Sequence, residues 1–146
     1  MFYRSIIRIE KGIASECNKI FHFASYYIHM ETKTGGCHCK KVRYEVQIDL
    51  SEKVIECNCS HCQIKGLLLQ FVPENSFTLT EGEGEMTEYR FNTKKIAHMF
   101  CKTCGVEAFA YGEDGSGNKM VAINTRSIDN VDLQELNRVA YDGRSK

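Results

Sequence analysis

Seven of the eight cysteines in this 146-residue chain fall into three tight clusters, and their spacing constrains the fold more than any other feature. The clusters are Cys37 and Cys39; Cys57, Cys59 and Cys62; and Cys101 and Cys104. Thiolates two or three residues apart can converge on one small cation, whereas Cys-x-Cys pairs are poorly placed to bridge each other as disulfides. Zinc accepts such ligands tetrahedrally and without redox chemistry. The sequence therefore predicts a zinc protein.

The clusters divide into one closed and one open set of ligands. The first and last clusters together supply four thiolates, which complete a tetrahedron and predict a structural zinc that contributes folding free energy; the set is Cys37, Cys39, Cys101 and Cys104. The middle cluster supplies only three, which is the pattern of a catalytic zinc with one position open to substrate. We therefore interpret Cys57, Cys59 and Cys62 as catalytic and metal-binding residues.

Each set has an alternative interpretation. The four outer cysteines could be buried thiols without a metal, and the middle three could be a redox-active thiol cluster or could gain a protein ligand from a histidine such as His38, His61 or His98. His61 is directly adjacent to Cys62, which makes joint ligation of one ion awkward. We therefore expect His61 to be an exposed neighbour of the cluster and not a ligand.

Composition limits the partners and the compartment. Lysine and arginine balance aspartate and glutamate at 19 each, so we expect no nucleic-acid partner. No apolar stretch approaches the roughly 20 residues of a membrane-spanning helix, so we expect a soluble protein without a membrane partner. The many cysteines, in a chain without a recognisable secretory signal, favour a reducing compartment, and we expect a cytoplasmic location.

Residues 1–29 differ from the rest of the chain and are predicted to be an N-terminal extension. They lack the clustered cysteines, and their one cysteine, Cys17, belongs to no cluster. Glu10 and Glu16 argue against a mitochondrial presequence, which is poor in acidic residues. We prefer Met30 as the natural start, with residues 30–137 as the zinc-binding domain and 138–146 as a C-terminal tail.

From residue 32 onward the pattern predicts a mainly β domain. Val42 to Ile48 alternates apolar and polar residues with period two, as expected of a strand with one buried face. Gly35 and Gly36 are predicted to form a turn before it, and residues 132–136 a short helical turn. Further strands are predicted at residues 67–72, 77–80, 87–91, 97–101, 106–111 and 120–124, with a glycine-rich loop at 112–118.

Five motifs occur in an order that resembles the glutathione-dependent formaldehyde-activating enzyme and centromere protein V family. They are Gly36-Cys-x-Cys39, Cys57-x-Cys-Ser-x-Cys62, Tyr89-Arg-Phe-Asn-Thr, Phe100-Cys-x-x-Cys-Gly105 and Val121-Ala-Ile-Asn-x-Arg126. The resemblance covers about residues 32 to 135. It implies a β-tent fold of antiparallel sheets, a structural zinc at the four outer cysteines and a labile second zinc at the middle three.

The resemblance also implies a carbon–sulfur lyase that forms S-(hydroxymethyl)glutathione from glutathione and formaldehyde. Glutathione has two carboxylates, so we expect cationic side chains to bind it. Arg126 is our main candidate for this role, ahead of Lys94 and Lys95, because it stands in the last family motif. Gln63 stands where a basic residue is frequent in the family, and this weakens the prediction of an anionic substrate.

Two functions remain open from the sequence. The first is a zinc enzyme that acts on the adduct of glutathione, or of another thiol, with an aldehyde. The second is a non-catalytic, zinc-stapled binding module, as the centromere branch suggests. A module that binds DNA or microtubules is expected to have a basic tail, and the balanced charge of this chain argues against one. We therefore favour the enzyme.

Overall fold

The structure is a computed structural model that describes residues 29–146. The predicted extension and Cys17 therefore lie outside the described residues, apart from His29. Glu31 to Lys146 forms one compact unit. Within residues 29–146, no helix is both long and apolar enough to cross a membrane.

The described residues form ten strands, one short α-helix and two single-turn 3-10 helices. The helix is α1 (Ser60–Lys65), and the 3-10 turns are Glu74–Ser76 and Thr125–Ser127. The strands are β1 (Glu31–Gly36), β2 (Arg43–Ile48), β3 (Val54–Cys57), β4 (Leu69–Pro73), β5 (Phe77–Glu81), β6 (Met86–Tyr89), β7 (Ala97–Cys101), β8 (Glu107–Glu113), β9 (Lys119–Asn124) and β10 (Arg138–Tyr141).

These strands form two open sheets. The smaller sheet has the order β1-β2-β5, and the larger has the order β10-β3-β4-β9-β8-β7-β6. Neighbouring strands are antiparallel except β10 and β3, which run parallel with Tyr141 opposite Cys57. The prediction of a mainly β fold with antiparallel sheets is confirmed, apart from this one parallel pair at the edge of the larger sheet.

The strands that the sequence predicted correctly are those in which apolar and polar residues alternate over several positions or in which apolar residues form a long run. Four elements were missed: β1, β3, α1 and β10, each only four to six residues long. Such segments are too short to display a clear period. Gly35 and Gly36 were wrongly placed in a turn, since both belong to β1. The short helical turn predicted at residues 132–136 is a single turn at residues 133–134, closed by a hydrogen bond from the Glu135 amide to the Asp132 carbonyl at 3.3 Å.

The main core lies between the two sheets. Tyr44, Val46 and Ile48 of β2 are each 1% exposed, and they pack with Phe109 of β8 and with buried valine and isoleucine side chains of β9. The Tyr44 and Phe109 rings meet edge to face with centroids 5.9 Å apart, a favourable geometry for an aromatic pair. The alternation of β2 therefore reflects burial of one of its faces against the larger sheet.

We predict that Phe109→Ala lowers the free energy of unfolding by about 3–5 kcal/mol, because it removes a fully buried ring from this core. Phe71→Ala is the matched control, because Phe71 lies in the same sheet with its side chain 52% exposed. Its loss should stay below about 1 kcal/mol. Urea denaturation of both variants measures these losses. Equal losses would contradict the position of the core.

Candidate metal sites and active site

The four outer cysteines converge, as the sequence predicts. Cys37 and Cys39 lie in the connection from β1 to β2, Cys101 ends β7, and Cys104 lies in the turn that follows. Their Sγ atoms all lie within 4.8 Å of one another. Cys39 Sγ is 3.5 Å from Cys37 Sγ and 3.6 Å from Cys101 Sγ. Thiolates around a tetrahedral zinc stand roughly 3.8 Å apart, so this set fits the ion.

Backbone amides stabilise negative charge on this outer cluster. The amide of Val42 donates to Cys37 Sγ and that of Thr103 donates to Cys101 Sγ, both at 3.4 Å. A hydrogen bond from the Val106 backbone lowers the pKa of Cys104 to about 6. Although a backbone hydrogen bond from Lys41 lowers the pKa of Cys39, desolvation and the neighbouring thiols raise it to about 12. A metal must therefore displace protons from a partly ionised cluster.

The outer cluster joins the two sheets. Cys37 and Cys39 follow a strand of the smaller sheet, whereas Cys101 and Cys104 belong to the larger one. Cys37 is 4% exposed and Cys101 is 1% exposed, and both belong to the main hydrophobic core. An ion held by these four thiolates would lie at the edge of that core and would fix one sheet against the other.

The middle cysteines also converge, where β3 ends and α1 begins. Cys57 ends β3, Cys59 is the N-cap residue of α1, and Cys62 lies within α1. Their Sγ atoms lie within 4.8 Å of one another. Cys62 is buried against small and aliphatic side chains of the larger sheet, whereas Cys57 and Cys59 are half-buried. The cluster thus has one buried thiol, Cys62, and two partly exposed ones, Cys57 and Cys59.

The thiols of this middle cluster differ in acidity. Burial raises the pKa of Cys62, and the neighbouring sulfurs raise it further. Burial also opposes ionisation of Cys59, but hydrogen bonds from the backbone of Cys62 and from the neighbouring thiols lower its pKa overall. The Cys62 amide lies 3.4 Å from Cys59 Sγ, which is the capping interaction of α1. The sulfur at the start of the helix is therefore better able than that of Cys62 to carry negative charge.

The expectation that His61 is exposed is wrong. Its side chain is only 8% exposed, and its Nε2 lies 2.9 Å from Oε2 of Glu107. Because a carboxylate only accepts hydrogen bonds, Nε2 is the protonated nitrogen. Burial lowers the pKa of His61, so the ring is neutral near pH 7. The nitrogen that faces Glu107 is thus already committed to a hydrogen bond.

Glu107 is the centre of a buried ionic network that the sequence did not reveal. Its side chain is 3% exposed and accepts hydrogen bonds from His61, from Lys65 Nζ at 2.8 Å and from His98 Nδ1 at 2.8 Å. Burial alone would raise the pKa of Glu107, but the bonds from His98 and Lys65 and the nearby charges lower it to about 2. The ligand atoms of His61, His98 and Glu107 are close enough to share an ion, but here the Lys65 ammonium neutralises the carboxylate.

A β-bulge directs Glu107 toward α1. Met99 pairs with Phe109 and Phe100 pairs with Glu107, so Ala108 is an extra residue on β8. A bulge shifts the alternation of side chains by one position. Glu107 therefore points to the face of the sheet opposite to that of Phe109 and meets two side chains of α1, His61 and Lys65. The network ties the helix that carries Cys62 to β7 and β8.

Aromatic rings cover His61 on its outer side. Tyr89 and Phe91 stack on the His61 ring with centroid distances of 5.7 and 5.1 Å, and the His98 ring lies 4.0 Å from it. Tyr89 is 47% exposed, so this wall of rings reaches the surface. The Tyr-Arg-Phe-Asn-Thr motif thus contacts α1 through its two aromatic residues.

The cationic candidates lie in different places. Arg126 is exposed, and its Nε donates to the carbonyl of Gly66, the C-cap residue of α1, at 2.8 Å. Arg126 also lines an open cleft of about 520 Å³ together with Cys37 and His38. Lys94 and Lys95 are exposed beyond β6, and their carbonyls accept hydrogen bonds from Arg90. Of the three, Arg126 is the one in contact with the element that holds Cys62.

Comparison with known proteins agrees with the motifs. The family model described as "Glutathione-dependent formaldehyde-activating enzyme" matches residues 32–141. A crystal structure of a Rhodobacter sphaeroides protein resembles this chain with a TM-score of 0.65 and 26% sequence identity. The match covers 73% of this chain and 97% of the Rhodobacter chain.

We predict that Glu107→Gln lowers the free energy of unfolding by about 1–3 kcal/mol, because it removes the charge that Lys65 and both histidines contact inside the protein. Glu88→Gln is the matched control, since Glu88 forms an exposed ion pair with Arg90. Because solvent screens that exposed pair, its loss should change the stability much less than the loss of the Glu107 charge. Urea denaturation at neutral pH compares the two variants, and a Glu107→Gln variant as stable as Glu88→Gln would contradict the network.

Proposed function

Because the chain belongs to the glutathione-dependent formaldehyde-activating enzyme family, we propose that it is a zinc-dependent carbon–sulfur lyase that acts on adducts of glutathione with aldehydes. S-(hydroxymethyl)glutathione is the first substrate to test. The observation that carries the proposal is the accessible cluster of three converging thiols at Cys57, Cys59 and Cys62. The unpaired cysteines favour a reducing compartment, and we place the reaction in the cytoplasm.

Two zinc ions with different roles are proposed. The outer set of Cys37, Cys39, Cys101 and Cys104 would hold a structural ion, because four thiolates fill its coordination. The middle set would hold a labile ion with one position for a ligand. When bound there, zinc would lower the pKa of a substrate thiol and hold the thiolate near the aldehyde.

The proposed reaction forms one carbon–sulfur bond. The sulfur of glutathione attacks the carbonyl carbon of formaldehyde, and the proton lost by the thiol is gained by the former carbonyl oxygen. The reverse reaction breaks the same bond and returns the proton. The chain contributes by orientation: Cys57, Cys59 and Cys62 locate the sulfur, and we propose that Arg126 binds a carboxylate of glutathione.

We predict about two zinc ions per chain when the full-length protein is purified without chelator or added metal. Elemental analysis with a protein concentration from amino-acid analysis measures this ratio. One ion per chain, with no second ion taken up on zinc addition, would contradict the proposed active site. It would instead favour a binding module stapled by the outer cysteines alone.

Serine substitutions should separate the two zinc sites. Cys59→Ser should remove the second ion and all activity while the circular dichroism spectrum stays unchanged, because serine is also a good N-cap for α1. Cys101→Ser should unfold the protein, because structural zinc sites contribute on the order of 10 kcal/mol. Activity is the rate of S-(hydroxymethyl)glutathione formation above the uncatalysed rate, followed by NMR. Unfolding of Cys59→Ser would make the middle cluster structural.

A further inference from the structure

The segment after β10 forms one wall of the middle cysteine cluster. β10 places Tyr141 beside Cys57, and the amide of Asn58 donates to the carbonyl of Tyr141 at 3.1 Å. The chain then passes so close to the thiols that a Cβ on Gly143 would lie 2.5 Å from Cys57 Sγ and 3.3 Å from Cys59 Cβ. Only glycine permits this approach without displacing the sulfur.

This approach brings Arg144 to the rim of the cluster. Its backbone amide donates to Asn58 Oδ1 at 2.9 Å, and its Nη2 donates to Gln63 Oε1 at 2.6 Å. Asn58 lies between Cys57 and Cys59 in the chain, and Gln63 directly follows Cys62. Arg144 is therefore held by residues adjacent to all three thiols, while its own side chain remains exposed.

The guanidinium of Arg144 has no carboxylate partner among residues 29–146. None of the ion pairs between described residues includes it, and its side-chain contact is with a neutral amide. The nearest acidic residue in the chain, Asp142, is engaged by Asn58 Nδ2 at 2.8 Å and by Ser145 Oγ at 2.6 Å. The remaining donors of Arg144 form a planar fork suited to a carboxylate.

We infer that Arg144 binds a carboxylate of the thiol substrate and so selects anionic thiols, such as glutathione, over neutral ones. This inference rests on the proposed function. In glutathione, whose central residue is cysteine, both carboxylates lie within about two to three residues' length of the sulfur, roughly 7–10 Å. A thiol bound at the middle cluster therefore places a carboxylate within reach of Arg144, whose side chain contacts Gln63.

The test measures dissociation constants by isothermal titration calorimetry on the zinc-loaded full chain. The ligands are glutathione and glutathione diethyl ester, which has the same thiol but no free carboxylates. The variants are Arg144→Gln and, as the matched control, Arg138→Gln at the other end of β10. We expect Arg144→Gln to weaken glutathione binding by about tenfold or more, as for a lost charge-assisted hydrogen bond, and to leave ester binding unchanged. Arg138→Gln should bind both ligands like the wild type.

Two results would overturn the inference while leaving the proposed function intact. One is unchanged glutathione binding by Arg144→Gln. The other is equal weakening of both ligands, with or without loss of zinc, since this would mean that Arg144 holds the cluster through Asn58 and Gln63. A wild-type protein that binds neither ligand would instead overturn the proposed function, and the inference with it.

Discussion

The convergence of four thiols between the two sheets is the constraint on which the rest of the structure depends. Cys37 and Cys39 lie in the connection from β1 to β2 of the smaller sheet, and Cys101 and Cys104 lie at the two ends of the turn that follows β7 of the larger one. Cys37 and Cys101 lie in the main core and Cys39 and Cys104 pack against it, so unpaired thiolates would be costly here and a shared cation would be favourable. The sheets contact each other mainly through apolar side chains. Because such contacts are not directional, they fix the relative orientation of the two sheets only weakly. The four cysteines add a specific connection between the sheets at one position.

The middle cluster depends on a different interaction, the buried carboxylate of Glu107. Cys57, Cys59 and Cys62 come from a short strand, a helix cap and a six-residue helix, none of which is stable by itself. His61 and Lys65 of the helix both contact Glu107, which the β-bulge at Ala108 turns toward them. The thiols are thus positioned by the larger sheet, although their sequence motif is local. The middle cluster is therefore positioned by Glu107 and the larger sheet, whereas the outer cluster is formed by residues from both sheets.

Sequence patterns predicted the elements whose residues alternate or are regularly spaced. They missed the short elements that are stabilised by contacts with distant residues. Cysteine spacing identified both clusters, and alternation identified β2 because one face of it is buried. Residues 54–57 and 60–65 were missed because each is stabilised by its neighbours and not by its own period. Glu107 was detectable only as a charge within the apolar run from Val106 to Tyr111. The identity of its partners required the bulge, which no local pattern in the sequence revealed.

The zero net charge of the chain limits its choice of substrate less than the charged side chains close to the middle cysteine cluster do. Arginines contact α1 at two points: Arg144 at Gln63, and Arg126 at the carbonyl of Gly66, three residues further along. The neutral Gln63 therefore does not leave this helix without positive charge. A net charge of zero argues against partners that respond to the whole protein's field, such as nucleic acid. A small thiol with carboxylate groups would respond instead to the few side chains beside its binding site, and the ones proposed here are Arg126 and Arg144.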